Sequence, residues 1–246
     1  MILRRLIQHL QHQHWMAVLL DFVIVVLGVF IGLQVQEWNT ARTVRAELDQ
    51  QLIGLRLELE ANLAHFAGYR AELVQQMEDV TALREAFQSE PPAISSDAFN
   101  AKFLNVQRIK VFAPDLTALN ELAETGGLRR LKDSELRNAI GDWRRELGNV
   151  NRNYADALRQ RDGVMNPFIL KNMSYGPLLE QSYIVGDGIG RSSFRNDVAA
   201  LAKSREVDNQ LAYRYGICGS TVYALDALVA ETKRLVDRLA SRERRQ

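Results

Sequence analysis

The chain contains 246 residues, 47% of them hydrophobic and 25% charged, with a formal net charge of +1. This balance excludes intrinsic disorder and a general electrostatic attraction to nucleic acid, and the single cysteine, Cys218, excludes a disulfide-stapled secreted module. The average hides one strongly apolar segment, residues 16–33, whose only charged side chain is Asp21; with one such segment, the chain is not a multi-pass transporter.

This apolar segment has the length and the flanks of a membrane span. Its 18 residues would extend about 27 Å as a helix, close to the roughly 30 Å of bilayer hydrocarbon. Trp15 and Trp38 bracket it, as aromatic side chains do at membrane interfaces. It is too long for a cleaved signal peptide, and no small-x-small cleavage site follows it; a buried core helix is the other alternative. We predict an uncleaved transmembrane signal anchor over residues 15–35.

The anchor divides the chain into three parts. Residues 1–14 are predicted to form a short cytoplasmic tail, because Arg4 and Arg5 make it hard to translocate. Residues 36–246 are predicted to form an extracytoplasmic helical bundle domain. The protein would then cross the membrane once, with the bulk of the chain outside the cytoplasm.

One face of the anchor differs from the rest. Asp21, Gly28 and Gly32 follow helical spacing and share a stripe, in which the two glycines form a GxxxG motif. Such a motif lets two helix backbones approach closely in lipid, and an ionisable residue beside it should face protein or water. We predict a transmembrane association stripe here. The alternative for Asp21 is an interfacial residue that reaches the headgroups.

The next segment carries an apolar residue at strict 4-3 spacing for more than five heptads, which indicates one long amphipathic helix over about 36–88 that continues the anchor. Two polar residues on this seam, Asn62 and Gln76, are interpreted as setting register. The seam consists of Leu48, Leu52, Leu55, Leu59, Asn62, Phe66, Tyr69, Leu73, Gln76, Val80, Leu83 and Phe87.

The remaining elements are also predicted to be helical. Helices are expected over about 97–107 with Ser96 as cap, over 115–125 before Gly126 and Gly127, from Asp133 through Leu158, and over 206–242; the stretch 162–196 is expected to be irregular. The last helix is predicted to bury Leu211, Tyr215, Cys218, Val222, Leu225, Val229, Thr232, Val236 and Leu239. No strand-type alternation occurs, so the fold class is all-α. We predict an N-terminal transmembrane helix that continues into a long helix of an elongated antiparallel bundle.

The end of the last helix is rich in arginine. If that helix returns toward the bilayer, Arg238, Arg242, Arg244 and Arg245 would contact anionic lipid headgroups, at about 1 kcal/mol per well-placed charge. The alternative is a solvated terminus.

Two segments resemble a bacterial family of single-pass membrane proteins that is catalogued only as a domain of unknown function. The first runs from His14 to Asn39 through the anchor, and the second runs from Leu119 to Arg137. The resemblance implies an N-terminally anchored helical protein of the bacterial inner membrane, and it implies no activity. In addition, Trp15 followed by Asp21 and Phe22 resembles the span of flagellar stator B subunits, whose aspartate accepts a translocated proton, although no peptidoglycan-binding domain follows.

Chemistry-bearing residues form no credible catalytic constellation. His9, His12 and His14 are interpreted as an interfacial tail and not as metal ligands, and His65 is the only later histidine. The glycine-rich stretch 184–193 lacks a Walker lysine and a preceding strand. The carboxylate pairs Glu58/Glu60 and Glu78/Asp79 are expected to be solvated. We predict no enzyme activity, no cofactor and no metal.

The sequence therefore favours an interaction protein that oligomerises or docks an envelope partner, with the lipid bilayer as its other contact and no nucleic acid. One alternative is an ion-coupled membrane subunit that uses Asp21 as its proton site. Another is a small-ligand-binding bundle that acts through a partner, with Trp143, Tyr154 or Tyr215 in its pocket.

Overall fold

The computed structural model describes residues 15–182, 184 and 186–245. The predicted tail, residues 1–14, lies outside them. Helices are the only regular structure in the described part of the chain, which confirms the all-α prediction. The chain divides into two compact units, one up to Gln51 and one from Leu52 onward.

Ten α-helices and one π-helix follow one another in the described chain. The long ones are α1 (Trp15–Ala86), α5 (Ser134–Gln160) and α10 (Arg205–Glu243). The shorter ones are α2 (Ser96–Gln107), α3 (Thr117–Glu124), α4 (Gly127–Arg130), the π-helix (Arg161–Met165), α6 (Asn166–Asn172), α7 (Tyr175–Leu179), α8 (Gly186–Ile189) and α9 (Val198–Ala202).

The first unit consists of the beginning of α1. This helix is continuous from Trp15, so the predicted continuation of the apolar segment into the following helix is confirmed. The guanidinium of Arg42 lies over the ring of Trp38, 6.0 Å from its centroid. Thr40 turns its hydroxyl back to the Gln36 carbonyl at 2.9 Å, so this polar side chain is satisfied within the helix.

The second unit is an antiparallel bundle of three long helices. Ion pairs join Arg70 of α1 to Asp226 of α10 and Arg84 to Asp208, so the two helices run in opposite directions. Helix α5 is also antiparallel to α10, since Glu135 lies beside Arg238 while Asn153 bonds the Ser220 carbonyl. These exposed pairs fix direction more than they add stability.

The α1 seam is buried as predicted, with only its last member, Phe87, partly exposed. Every second member of the predicted α10 seam is wrong by one residue, because the buried position is the one just before it. Tyr215 is 42% exposed, and Arg214 faces the core in its place. The buried stripe of α10 is Val207, Leu211, Arg214, Cys218, Thr221, Leu225, Leu228, Thr232, Leu235 and Leu239.

Helix caps account for most of the predicted boundaries. Asp133 accepts from the Leu136 N–H, as predicted, whereas the cap of α2 is Ser95 and not Ser96. Gly126 adopts a left-handed φ of 74° after α3, a conformation that glycine tolerates without strain. Gly127 then begins α4 instead of ending α3.

The stretch 162–196 is more ordered than predicted, since it contains most of the π-helix and three short α-helices. Met165, Phe168, Ile169 and Leu178 from this stretch are buried against α1, α2 and α10. The sequence pattern missed these elements because each is too short to show a helical repeat.

Candidate functional site

The apolar part of α1 is the first candidate site. All described side chains from Leu19 to Val35 are exposed, Leu20 at 60% and Phe22 at 65% among them. A core helix of a soluble protein would bury such residues, so the structure argues against that alternative. By length and composition, this is one helix that is able to cross a membrane.

The predicted association stripe lies on this exposed helix. Asp21, Gly28 and Gly32 are all exposed. A Cβ added to either glycine would meet no atom within 4 Å, so the bare backbone at these two positions is open to an approaching helix. The stripe as an interface stays a prediction.

The C-terminal arginines lie among carboxylates. Arg238, Arg242 and Arg245 line an open cavity of about 610 Å³ together with Asp133, Glu135 and Asp237. Arg238 pairs with Glu135 at 3.1 Å, and Arg244 donates to the Ser241 hydroxyl at 3.2 Å. Positive charge is therefore partly balanced here, and lipid-headgroup contact by these arginines stays a prediction.

The three aromatic residues suggested for a ligand pocket lie in different surroundings, and of them Tyr215 lines an open cavity, of about 640 Å³. Trp143 is fully buried, and its indole N–H donates to the Thr232 hydroxyl at 2.8 Å, so it has no polar atom left for a ligand. Tyr154 lies three helical turns away, about 16 Å along α5. Tyr215 is half exposed on α10. Trp143 is therefore a core residue.

The bundle core contains an arginine that the spacing pattern did not predict. Arg214 is 2% exposed. Its Nε donates to the Val106 carbonyl at 3.1 Å, and its Nη2 donates to the Gln76 side-chain oxygen at 2.6 Å and to the Arg108 carbonyl at 3.1 Å. Burial lowers the pKa of Arg214, because a low dielectric penalises its charge.

The partners of Arg214 explain how the core holds this charge. Val106 and Arg108 lie at the C-terminal end of α2, where unpaired carbonyls and the helix dipole favour a cation. Gln76 also donates to the Arg108 carbonyl at 2.6 Å. The polar seam residue Gln76 and the buried Arg214 therefore fasten the end of α2 to α1 and α10. Nearby, burial raises the pKa of Tyr69 to about 12.

Glu58 was predicted to be solvated, and that prediction is wrong. Its side chain is buried, and its carboxylate accepts from the N–H groups of Ala118 at 2.5 Å and Leu119 at 3.3 Å. These are the second and third N–H groups of α3; the first, that of Thr117, donates to the Asp115 carboxylate at 3.0 Å. The N-cap residue of the helix, Leu116, offers no side-chain acceptor. A residue of α1 therefore caps α3 from outside, where a negative charge is favourable.

Burial raises the pKa of Glu58, against the opposing effect of the two N–H donors. A raised pKa stabilises the fold fully below the ordinary value of 4.5, and this contribution is lost as the pH rises through the folded value. We expect Glu58→Gln, which keeps one acceptor oxygen without a charge, to gain stability relative to wild type as the pH rises from below 4.5 to neutrality. Chemical denaturation across this range measures the difference; a difference that shrinks with pH would contradict it.

In the second carboxylate pair, Glu78 is exposed as predicted, whereas the prediction for Asp79 is wrong. Asp79 is 5% exposed, and it accepts from Lys102 at 2.7 Å and from the Asn105 amide at 2.6 Å. Both donors lie on α2, so Asp79 fixes the side of α2 against α1. The seam residue Asn62 acts similarly, since its amide exchanges hydrogen bonds with the Asp115 backbone. The polar groups of α1 therefore position the following segments.

A polar cleft lies where α2 ends, beside the π-helix. It has a volume of about 280 Å³. A chain of hydrogen bonds runs along it, from Arg161 to Asp162 at 2.8 Å, from Asn166 to Asp162 at 3.2 Å, and from Gln107 to Asn166 at 2.5 Å and to the Tyr175 hydroxyl at 3.2 Å. A π-helix at the wall of a cleft is common at functional sites.

Metal binding needs clustered histidine, cysteine or acidic side chains. The described residues hold no group of three or more histidine, cysteine or acidic side chains placed to bind a metal; the predicted tail histidines lie outside them. His65 packs its ring beside Phe112, at 5.9 Å between centroids. Comparison of the chain with family models, curated proteins and solved structures gives no match, so membership of the anchored bacterial family stays a prediction.

Proposed function

We propose that the protein is a membrane-anchored helical interaction protein that pairs with a second copy of itself through the Asp21, Gly28 and Gly32 stripe. The observation that carries this proposal is the exposed apolar segment of α1, Leu19–Val35. Water solvates such a segment poorly, and a bilayer accommodates it on every side. Under this proposal the anchor lies in a bacterial inner membrane and the bundle lies outside the cytoplasm.

The stripe supports a second copy as the occupant. A two-fold pair of helices places the same residues against each other, so one GxxxG motif serves both chains. Asp21 is exposed in an apolar stretch, where an ionisable group needs a polar partner. A second copy supplies one, because a two-fold pair brings the polar Asp21 side chains of both chains to the same depth in the bilayer.

Association should weaken when the glycines are filled. We expect Gly28→Leu with Gly32→Leu to reduce self-association in a membrane two-hybrid assay or by cross-linking in native membranes, since leucine side chains keep the backbones apart. The matched control is Val26→Leu with Phe30→Leu, which has the same spacing on the opposite face of the helix. Equal association of the glycine variant and the control would refute the interface.

A second candidate function is an ion-coupled subunit, which the exposure of Asp21 in an apolar stretch also favours. Variants of Asp21 distinguish the two functions. Asparagine keeps a polar side chain that is able to hydrogen-bond, but it has no carboxyl group to bind and release a proton. For an interaction role, Asp21→Asn should retain association and Asp21→Leu should lose it. For an ion-coupled subunit, Asp21→Asn should instead abolish proton flux into proteoliposomes at unchanged protein abundance.

A further inference from the structure

The polar cleft beside the π-helix is lined by basic, acidic and amide side chains within a small volume. Its 280 Å³ lie at the lower limit of small-molecule pockets, about 300 Å³, which suits a small metabolite and excludes a nucleotide or a peptide. The residues that line it come from the end of α2, the π-helix, α6 and α7, and the segment before α8. It lies in the second unit, separate from the association stripe.

Two arginines line the cleft, Arg108 and Arg161. The pair between Arg161 and Asp162 uses Nε and Nη2 of the arginine, and Nη1 stands outside that pair. The remaining donors of Arg161 favour a carboxylate, because a guanidinium is able to donate to both of its oxygens.

The same cleft contains acceptors that a simple anion would not satisfy. Gln107 is 5% exposed, and its amide nitrogen donates to Asn166 and to Tyr175. Its side-chain oxygen is buried and meets no donor among the described residues. A buried acceptor without a donor is costly. The Asp162 carboxylate, which also lines the cleft, retains lone pairs beyond its bonds to Arg161 and Asn166.

We propose that this cleft binds a small zwitterion, an α-amino acid with an aliphatic side chain. Its carboxylate contacts the guanidinium group of Arg161. Its ammonium group donates to the side-chain oxygen of Gln107 and to Asp162. The side chain packs on the apolar wall of the cleft, which is formed by Leu104, Ile109 and Ile184.

Calorimetric titration of the full-length chain in detergent micelles tests the ligand class. The probes are valine, leucine, isoleucine and methionine, with leucinamide, which lacks the carboxylate, and 4-methylpentanoate, which lacks the amine. We expect at least one amino acid to bind with a dissociation constant of about 1 mM or lower. Leucinamide and 4-methylpentanoate should each bind at least about tenfold more weakly than leucine, since each leaves charged or buried groups of the cleft unpaired. If no amino acid binds, or if 4-methylpentanoate equals leucine, the proposal is overturned.

Two variants and one control locate the binding in the cleft. Arg161→Gln removes a guanidinium from a partly exposed side chain, and Gln107→Leu removes the buried acceptor. The control, Arg159→Gln, removes an exposed arginine two residues earlier, whose partner is Asp156. We expect both cleft variants to weaken amino-acid binding about tenfold or more and the control to bind as wild type does, each with an unchanged circular dichroism spectrum. A folded Arg161→Gln chain with wild-type affinity would refute the site.

Discussion

Carbonate washing should leave the full-length chain in the membrane fraction, and replacement of Ile24 and Leu27 by arginine should release it. Both residues are more than half exposed near the middle of the apolar segment. An arginine at the centre of a membrane helix costs about 2.5–3.5 kcal/mol, so two of them disfavour insertion by roughly 5–7 kcal/mol.

The control for this change places two arginines at exposed positions of α10, as Tyr213→Arg with Tyr223→Arg. These side chains are 58% and 82% exposed, and the control should stay with the membrane. Flotation on a density gradient separates inserted protein from sedimented aggregate. A wild-type chain that stays at the bottom of the gradient, or an Ile24→Arg, Leu27→Arg chain that floats, would exclude the anchor.

Replacement of Arg214 by methionine should lower the free energy of unfolding by about 3 kcal/mol. Three acceptors lose a donor at once, namely the Val106 and Arg108 carbonyls and the Gln76 side chain. The Arg108 carbonyl keeps a second donor in Gln76, the Gln76 oxygen keeps only the weak thiol donor of Cys218 at 3.5 Å, and the Val106 carbonyl loses its side-chain donor. Relief of the buried charge offsets part of the loss, because a charge inside a protein is costly to desolvate.

The measurement is chemical denaturation of the full chain in detergent, followed by far-UV circular dichroism. Arg234→Met is the matched control on the same helix, since Arg234 is an exposed partner of Glu231 and such pairs contribute at most about 1 kcal/mol. If the two variants unfold at the same denaturant concentration, Arg214 does not hold α2 in place.

The long helices were predictable because each repeats an apolar residue over many turns. Leu52, Leu55 and Leu59 are buried as their spacing requires. The α10 seam shows where this reasoning fails. Between Leu211 and Cys218, alternating steps of three and four residues pass equally well through Tyr215 or through Arg214, so spacing leaves both phases open. Packing against the end of α2 selects Arg214.

The candidate sites divide in the same way. The apolar segment and its stripe consist of residues that are close together in the sequence. The sequence alone therefore predicts that Asp21 and Gly28 lie on one face of a helix. The polar cleft joins Gln107 to Asn166 and Tyr175, which lie 59 and 68 residues further along the chain. Glu58 likewise meets residues about 60 positions away. No local sequence pattern predicts such long-range contacts, because they depend on how the helices pack.

The π-helix at Arg161–Met165 allows one unbroken helical run to serve two hydrophobic environments. A wider turn adds a residue without ending the run, and each added residue rotates the following side chains by about 100° around the axis. Before it, Val150 and Ala157 point into the three-helix core; after it, Phe168 and Ile169 enter the cluster around Phe99 and Phe103. One added residue thus turns the apolar face of the helical run from the three-helix core toward the second cluster. A loop could make the same change, but here the chain stays helical throughout.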